Sequence, residues 1–416
     1  MRLVITFGLL AATVAPAAAQ NSVGRLLTDV RYLSHDRLQG RLTGTPGADS
    51  AAAYIARRFA EVGLTPPAGG WFQDFTVSPD APAARHAPVG GARGRNVVGL
   101  LRGSDPARRE EIVVVGAHYD HLGLGGPFAL DPDSTGAVHN GADDNASGTA
   151  ALIEVAARLA RRPPARSVAF IAFGGEELGL LGSAHYVRES GNASGIAAML
   201  NLDMVGRLKH DRLIVYGTGS ATEFPTLLDS LNRTEKFELA LRPDGYGPSD
   251  QSSFYAAGIP VLHFFTNVHE DYHRSTDDWQ KIDVPGLARV AGFAASVTAA
   301  IAGRPARPTF VALPATAHGG SATGTGGYGA YLGTVPDMSG SESGVRLAGV
   351  RAGSPAEKAG LRADDVITKI GDYEVPDLEA MTTALRSYKP GDTVEIVVRR
   401  EGSLVTLTAT LGSRGT

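Results

Sequence analysis

Between residues 96 and 265 the chain alternates short, nearly unbroken apolar runs with longer segments whose apolar residues recur at helical spacing. The runs at 96–101, 112–117, 167–173, 197–202, 212–216 and 259–265 read as strands. Most are too uniformly apolar to have one wet face, which would impose an alternation of apolar and polar residues. A further strand is expected at 72–77. Helices are expected over most of 22–65, with Ala52, Ile55, Phe59 and Val62 on one face and Gly63 as the stop. Others are expected over 147–161 (halted by Pro163-Pro164), from about Leu178, and over 287–301. Strands alternating with helices predict an α/β domain with a mixed, largely parallel sheet sandwiched by helices.

After residue 304 the rhythm changes. Residues 305–329 contain HGGSATGTGGYG and have no periodicity, which reads as a Gly-rich linker. Beyond it, strands are expected at 330–335, 344–350 and 366–370. Short helices are expected at 355–359 and 377–387, and a closing hairpin turns at Glu401-Gly402. This is a small second domain over 330–416, with the first domain occupying 20–304.

The opening MRLVITFGLLAATVAPAAAQ has one early positive charge, an apolar stretch and Ala17-Ala18-Ala19 before Gln20. That is the pattern of a secretory signal peptide, here residues 1–19, and it predicts an exported chain, periplasmic or secreted. The apolar core is shorter than the ~20 residues a membrane span needs, so no stable membrane anchor is expected. With 416 residues, 43% hydrophobic and 20% charged at a net charge of −4, nothing suggests a nucleic-acid partner. The chain has no Cys, which leaves His and carboxylates as the strong metal ligands.

Those residue types gather at particular places. His118 (in HYD), Glu177 (in the pair Glu176-Glu177), Asp203 (in LNLDMVG) and His273 (in EDYHRSTDD) each sit at or soon after an expected strand end. Asp144 (in GADDNASG) sits in a loop before a helix. Ligands of open α/β sheets bind at the carboxyl ends of the strands, so topology and chemistry coincide. Taken singly each residue has an ordinary structural reading, such as a surface pair, a cap, or acid at a helix N-terminus. Together they form the ligand set of a two-zinc hydrolase, with one carboxylate to spare.

Two cations ~3.5–4 Å apart need a shared anion. Asp144 fits that bridging role, and Asp143 is the competing choice or a supporting group. His118 and Asp203 would hold one metal, and Glu177 and His273 the other. Asp120 could hold the second ring nitrogen of His118, and Glu176 remains as general base. The ligands point to two Zn2+ ions, although nitrogen and oxygen donors would also accept Mn2+ or Co2+. His269-Glu270-Asp271-Tyr272-His273 also matches the H-E-x-x-H zinc motif. That motif requires a helix, and this stretch reads as loop, so it is set aside.

HYD, GADDNASG, GGEELGLLGS, NLDMVG, GYGPSDQSSFYAAGIPVL and EDYHRSTDDW together resemble peptidase family M28, the two-zinc aminopeptidase family of bacterial leucyl aminopeptidases and glutamate carboxypeptidase. The resemblance covers about residues 22–300. It implies a zinc exopeptidase fold, a peptide or protein substrate, and the ligand and base assignments above. It also implies a cis peptide from Asp144 to Asn145, and Tyr246 as donor to the developing oxyanion. Gln251 stands where the family usually has His, which puts substrate positioning near Asp250 and Gln251 in question. The last ~85 residues resemble a PDZ domain, a small β-sandwich or barrel. That likeness implies that Tyr331-Leu332-Gly333 receives the carboxylate of a C-terminal peptide ligand; a rigid appendage without ligand is the alternative.

The favoured activity is that of a metallo-aminopeptidase, with carboxypeptidase or amidohydrolase activity at the same site left open. A lid-bearing deacylase is disfavoured by the short interval from Asp203 to His273. A single-zinc glutaminyl cyclase would have no use for His118. A decayed peptide-binding adaptor should have lost a ligand or Glu176, and none is lost.

Overall fold

The computed structural model describes residues 14–79, 89–125, 129, 131, 134, 136–189, 193–247, 249–267, 269, 271–313, 330–336, 343–350, 353–376 and 378–412. Most of the expected signal peptide lies outside them.

The first domain opens with helices α1 (Val14–Leu33) and α2 (Pro46–Glu61). Thr45 caps α2 by accepting from the Ala48 amide, Pro46 sits in its first turn, and Gly63 (φ +93°) ends the run. Strands β1 (Phe72–Thr76), β2 (Arg93–Leu101) and β3 (Ile112–His118) follow, then α3 (Gly148–Ala160), β4 (Ser167–Phe173), α4 (Leu181–Glu189) and β5 (Ile196–Leu202). Next come β6 (Arg212–Tyr216), α5 (Phe224–Glu235), β7 (Glu238–Leu241), α6 (Gln251–Ala256), β8 (Val261–Phe265) and α7 (Val284–Gly303).

Eight strands make one sheet in the order β1-β2-β4-β3-β5-β8-β6-β7. The central pairs β4–β3, β3–β5 and β5–β8 are parallel, as is β6–β7, whereas β1–β2, β2–β4 and β8–β6 are antiparallel. The sheet is thus mixed and parallel at its centre. Strands β4 and β5 are buried along their whole length, which explains their lack of alternation. Helices α1, α3 and α7 pack together over one face, and α4 and α6 over the other. Helix α7 is long and apolar enough to span a membrane, but it is a core helix whose Leu287, Val290, Phe293, Val297 and Ile301 are buried.

Three features depart from the sequence reading. Helix α4 begins at Leu181 rather than near Leu178, because Gly175 (φ +72°) and Leu180 (φ +61°) place left-handed kinks after β4. Helices α5 and α6 and edge strand β7 had no counterpart among the expected elements; α6 is only six residues long and β7 only four. Residues 305–313, read as the start of the linker, are tied to the first domain. Phe310 bridges Ala221, and the Glu223 carboxylate accepts from the Thr309 amide at 2.9 Å.

The second domain contains β9 (Thr334–Pro336), β10 (Val345–Val350), α8 (Pro355–Lys358), β11 (Val366–Ile370), β12 (Tyr373–Glu374), α9 (Leu378–Ser387), β13 (Thr393–Arg400) and β14 (Ser403–Thr410). Its sheet is antiparallel in the order β14-β13-β11-β10-β9, with β12 on β11, around its own core of Leu347, Ile367, Ile370, Ile396 and Val398. The β13–β14 hairpin turns at Glu401-Gly402, both left-handed, as a tight hairpin requires. The strand expected over 330–335 forms only from Thr334. Gly333 has φ +86°, and a Cβ there would lie 2.3 Å from that of Ser354, so Tyr331-Leu332-Gly333 is a loop.

Candidate metal centre and active site

Strands β3, β4 and β5 lie side by side in parallel, so their carboxyl ends deliver His118, the Glu176-Glu177 turn and Asp203 to one edge of the sheet. A wide helical turn, Ala142–Ser147, brings in Asp144, and the loop after β8 brings in His273. The Asp144–Asn145 peptide is cis.

The five ligand candidates converge. His118 Nε2 lies 3.2 Å from Asp144 Oδ1 and 3.5 Å from Asp203 Oδ1. His273 Nε2 lies 3.3 Å from Asp144 Oδ2 and 3.2 Å from Glu177 Oε2. Asp144 therefore turns one oxygen to each imidazole. Donors bound to zinc at about 2.0–2.2 Å in a tetrahedron sit about 3.3–3.6 Å from each other, so these spacings fit a shared cation. The Asp203 oxygen facing His118 is buried and has no hydrogen-bond partner among the described residues. A dry acceptor left unsatisfied in this way is costly unless a cation takes it up.

The charges are strongly coupled. Burial works against a charged His118, but Glu176, Asp203, Asp120 and Asp144 outweigh it and hold the imidazole well above its usual range. Likewise burial opposes, and Glu177 and Asp144 restore, a His273 pKa of about 11. Burial would raise Asp144, yet His118 and His273 hold it well below the ordinary carboxylate range. The carboxylates around each imidazole thus favour positive charge there, which is also what a bound cation would supply.

Glu176 behaves differently from Glu177. Burial, reinforced by Glu177, Asp250 and Asp203 against the pull of His118, drives its carboxyl well up. Its Oε2 stands 3.9 Å from His118 Nε2, beside the ligands but outside their closest contacts. Its backbone is fixed from below: the Glu176 amide donates to Asp120 Oδ1 at 3.2 Å and the Gly175 amide to Thr43 Oγ1 at 2.9 Å. Thr43 in turn donates to Asp120 Oδ2 at 3.0 Å.

This changes the role of Asp120. Its carboxylate is 3.7 Å from His118 Nδ1, while its backbone carbonyl lies 3.2 Å away and accepts the ring N–H. The carboxylate orients the turn that carries Glu176. Asp143 points away from the cluster: Oδ1 accepts from the Gly206 amide at 2.7 Å, and Oδ2 pairs with His269 Nε2 at 3.1 Å. The described residues of this stretch, His269 and Asp271–His273, are not helical, and its two imidazoles serve different carboxylates, so the H-E-x-x-H reading finds no support among them.

His121 was not foreseen. It is fully buried, and its Nδ1 lies 2.6 Å from Glu177 Oε1, which leaves Oε2 to face His273. With Asp144 and Glu177 it forms one of the groups able to hold a metal ion, alongside His118–Asp144–Asp203 and His118–Glu176–Glu177. Arg41 is also new to the picture. Its buried guanidinium donates to the carbonyls of Tyr119 (2.7 Å), Asn140 (2.6 Å), Gly141 (3.0 Å) and Leu33. Burial lowers its pKa to about 10 against the pull of Asp120, Asp144, Asp277 and Glu177, which leaves it charged at neutral pH.

Tyr246 stands apart from these distances. It is half-buried in the loop before α6, with its ring edge-on to Tyr255 at 4.7 Å between centroids. Gln251 is buried and its Oε1 accepts from Asn201 Nδ2 at 3.3 Å, within a polar group that also contains Ser249 and His263. Both Asp250 carboxylate oxygens are buried without a hydrogen-bond partner among the described residues, and burial raises that carboxyl to about 7.

A strand-end cluster of this composition, on this sheet, has relatives. The model of peptidase family M28 matches residues 96–298, which span the whole ligand set, and the PDZ-domain model matches residues 330–411. Over residues 96–298 the chain carries the pattern of peptidase family M28.

Among curated proteins, Aminopeptidase YwaD of Bacillus subtilis is 32% identical over 219 residues, 50% of this chain and 44% of that one. Leupeptin-inactivating enzyme 1 of Streptomyces exfoliatus is 28% identical over 277 residues, 65% of this chain and 54% of that one. The chain thus spans about half the length of these relatives. Among solved structures, BSAP, a zinc aminopeptidase from Bacillus subtilis, superposes with a TM-score of 0.54 at 19% identity, covering 66% of this chain and 94% of that one. The aminopeptidase from Aneurinibacillus sp. strain AM-1 gives 0.53 at 19% identity, covering 71% and 97%. At that identity the likeness is one of fold. The M28 domain and the PDZ-type sheet are the two architectures expected of the sequence.

Proposed function

We propose that this M28 chain is a zinc-dependent exopeptidase, an aminopeptidase that hydrolyses peptide bonds at a site built for two zinc ions. The observation that carries the reading is Asp144, whose two oxygens face His118 and His273 at 3.2 and 3.3 Å. His118, Asp144 and Asp203 would hold one ion, and His273, Asp144 and Glu177 the other, with His121 orienting Glu177. Zinc bound there supplies Lewis-acid polarisation of the scissile carbonyl and acidifies a water.

The chain's own groups do the rest. Glu176, fixed through its amide to Asp120, takes the proton of the attacking water on its carboxylate and passes it to the leaving amine. Tyr246, in the loop entering α6, is assigned the hydrogen bond to the developing oxyanion. The relatives named aminopeptidase favour the amino-terminal polarity. The opening apolar stretch supports export, with Ser22, just past the expected cut, still donating to Glu154 at 2.7 Å. The PDZ domain is assigned peptide binding at Tyr331-Leu332-Gly333.

The test is cleavage of aminoacyl amides with free and with blocked amino groups by the zinc-loaded chain. Cleavage of only the free-amine substrates is expected. Equal cleavage of both would remove the aminopeptidase reading, and an inert, chelator-insensitive protein would favour a peptide-binding adaptor.

A further inference from the structure

The bridging carboxylate sits on five residues, Asn140–Asp144, that belong to no strand and no regular helix. Something must fix them, since an ion pair of ligands shifted by about 1 Å no longer fits two cations. The segment is gripped from both sides. Its first two carbonyls, of Asn140 and Gly141, point at the Arg41 guanidinium, at 2.6 and 3.0 Å. Its last three amides all donate to one residue, Asp277. Ala142 gives its N–H to the Asp277 carbonyl at 2.9 Å, and Asp143 and Asp144 give theirs to Asp277 Oδ2 at 2.8 and 3.0 Å.

Both gripping side chains are buried, and their hydrogen bonds to the segment go to its backbone rather than to the ligand atoms. Each also reaches a second ligand-bearing segment. Arg41 Nε donates to the carbonyl of Tyr119, the residue between His118 and Asp120, at 2.7 Å. Asp277 lies four residues after His273, and its other oxygen is anchored by Arg207 at 3.3 Å, a guanidinium that also holds Asp271 at 3.0 Å.

We propose that Arg41 and Asp277 are positioning residues that clamp the Asn140–Asp144 backbone and thereby hold the bridging carboxylate in register with His118 on one side and His273 on the other. The planar guanidinium is suited to this task because its N–H groups reach carbonyls from three separate segments at fixed angles. A lysine would preserve the charge but could not reproduce that fork. Charge and position also act in opposite directions. A nearby cation repels zinc, so removing it for its charge alone would tighten metal binding, whereas losing the clamp weakens it.

The inference rests on the metal reading above, and the experiment separates the two. Zinc dissociation constants are measured by competition with a chromophoric chelator for the full chain and its Arg41→Lys, Arg41→Met and Asp277→Asn variants. Hydrogen exchange of the 142–144 amides is followed in the zinc-free proteins. Each variant is expected to bind zinc about 10- to 100-fold more weakly, as losses of supporting groups do, and to exchange those amides faster while still unfolding cooperatively. Wild-type affinity in Arg41→Lys with tighter binding in Arg41→Met would overturn the clamp in favour of a pure charge effect. Unchanged affinity in variants with lowered melting temperature would reduce both residues to structural ones. If Arg41→Met does not fold, Arg41→Lys and Asp277→Asn decide. A wild-type chain that binds no zinc would remove the metal reading, yet exchange at 142–144 that quickens in the variants would still establish the clamp.

Discussion

Asp143 and His269 form a buried pair, Oδ2 to Nε2 at 3.1 Å, immediately behind the carboxylate that faces the metal site. Two adjacent aspartates thus divide the work: Asp143 fastens the loop after β8 and the Gly206 turn, and Asp144 turns its oxygens to His118 and His273.

The first prediction follows from that division. His269→Ala should keep full zinc stoichiometry and lose about 1–3 kcal/mol of stability, the cost of leaving a buried acceptor unpaired. His273→Ala should lose one zinc equivalent. Metal analysis with thermal melts checks both, and equal metal loss in the two variants would restore the H-E-x-x-H reading.

Glu176→Gln should bind zinc like the wild type while its kcat falls by about 10²–10⁴, the usual contribution of general acid–base catalysis. Asp120→Asn should lower kcat less. It leaves the His118 ring bonded to a backbone carbonyl and perturbs only the carboxylate that holds the Glu176 amide. Steady-state kinetics with metal content measured on the same samples distinguishes these cases.

Much of this site could be read from the sequence because its ligands stand at strand ends. Strands β3, β4 and β5 are apolar enough to be located by eye, and parallel pairing puts His118, Glu177 and Asp203 on one edge. His121 was hidden by the same logic. Period-two alternation from His118 reaches Asp120, but the strand ends at His118 and the chain turns, so the alternation no longer says where His121 points. Arg41 left no signal, since its partners are backbone carbonyls from three separate segments and carry no residue signature. The acidic turn of Asp143-Asp144 was recognisable, and Asp144, the acid expected to bridge, is the one that faces both His118 and His273. Helix α6 escaped because its six residues offer too few repeats for a period to emerge.

The third prediction concerns pH. His263 lies buried beneath the site, and burial lowers its pKa to about 4 from an ordinary 6.5. Its Nδ1 accepts from Asn201 Nδ2 at 3.2 Å, a bond that uses the neutral ring. Between pH 6.5 and 4 the unfolded chain therefore binds a proton that the folded one refuses, so stability falls as pH drops through that window. The slope is about 1.4 kcal/mol per pH unit, up to about 3 kcal/mol in all. His263→Gln keeps an acceptor for Asn201 and cannot titrate, so its denaturation midpoint should fall less steeply over the same interval. Parallel curves for the two proteins would show that His263 does not contribute.

A fourth prediction separates the two cores. Gly333→Val forces a β-branched residue to φ +86° and into Ser354, so it should destabilise the PDZ-type domain. Cleavage of a dipeptide-sized aminoacyl amide should be unchanged, because among the described residues no strand or core cluster is shared between the domains. A loss of kcat on that small substrate would instead show that the second domain acts on the site.

The central claim is that Asp144 bridges two metal ions between His118 and His273. Zinc titration of the metal-free chain, read calorimetrically beside an Asp144→Asn variant, addresses it most directly. Two equivalents should bind to the wild type, and binding of both should weaken in the variant, since one carboxylate serves both sites. A single equivalent in the wild type, or two that bind the variant unchanged, would contradict the account.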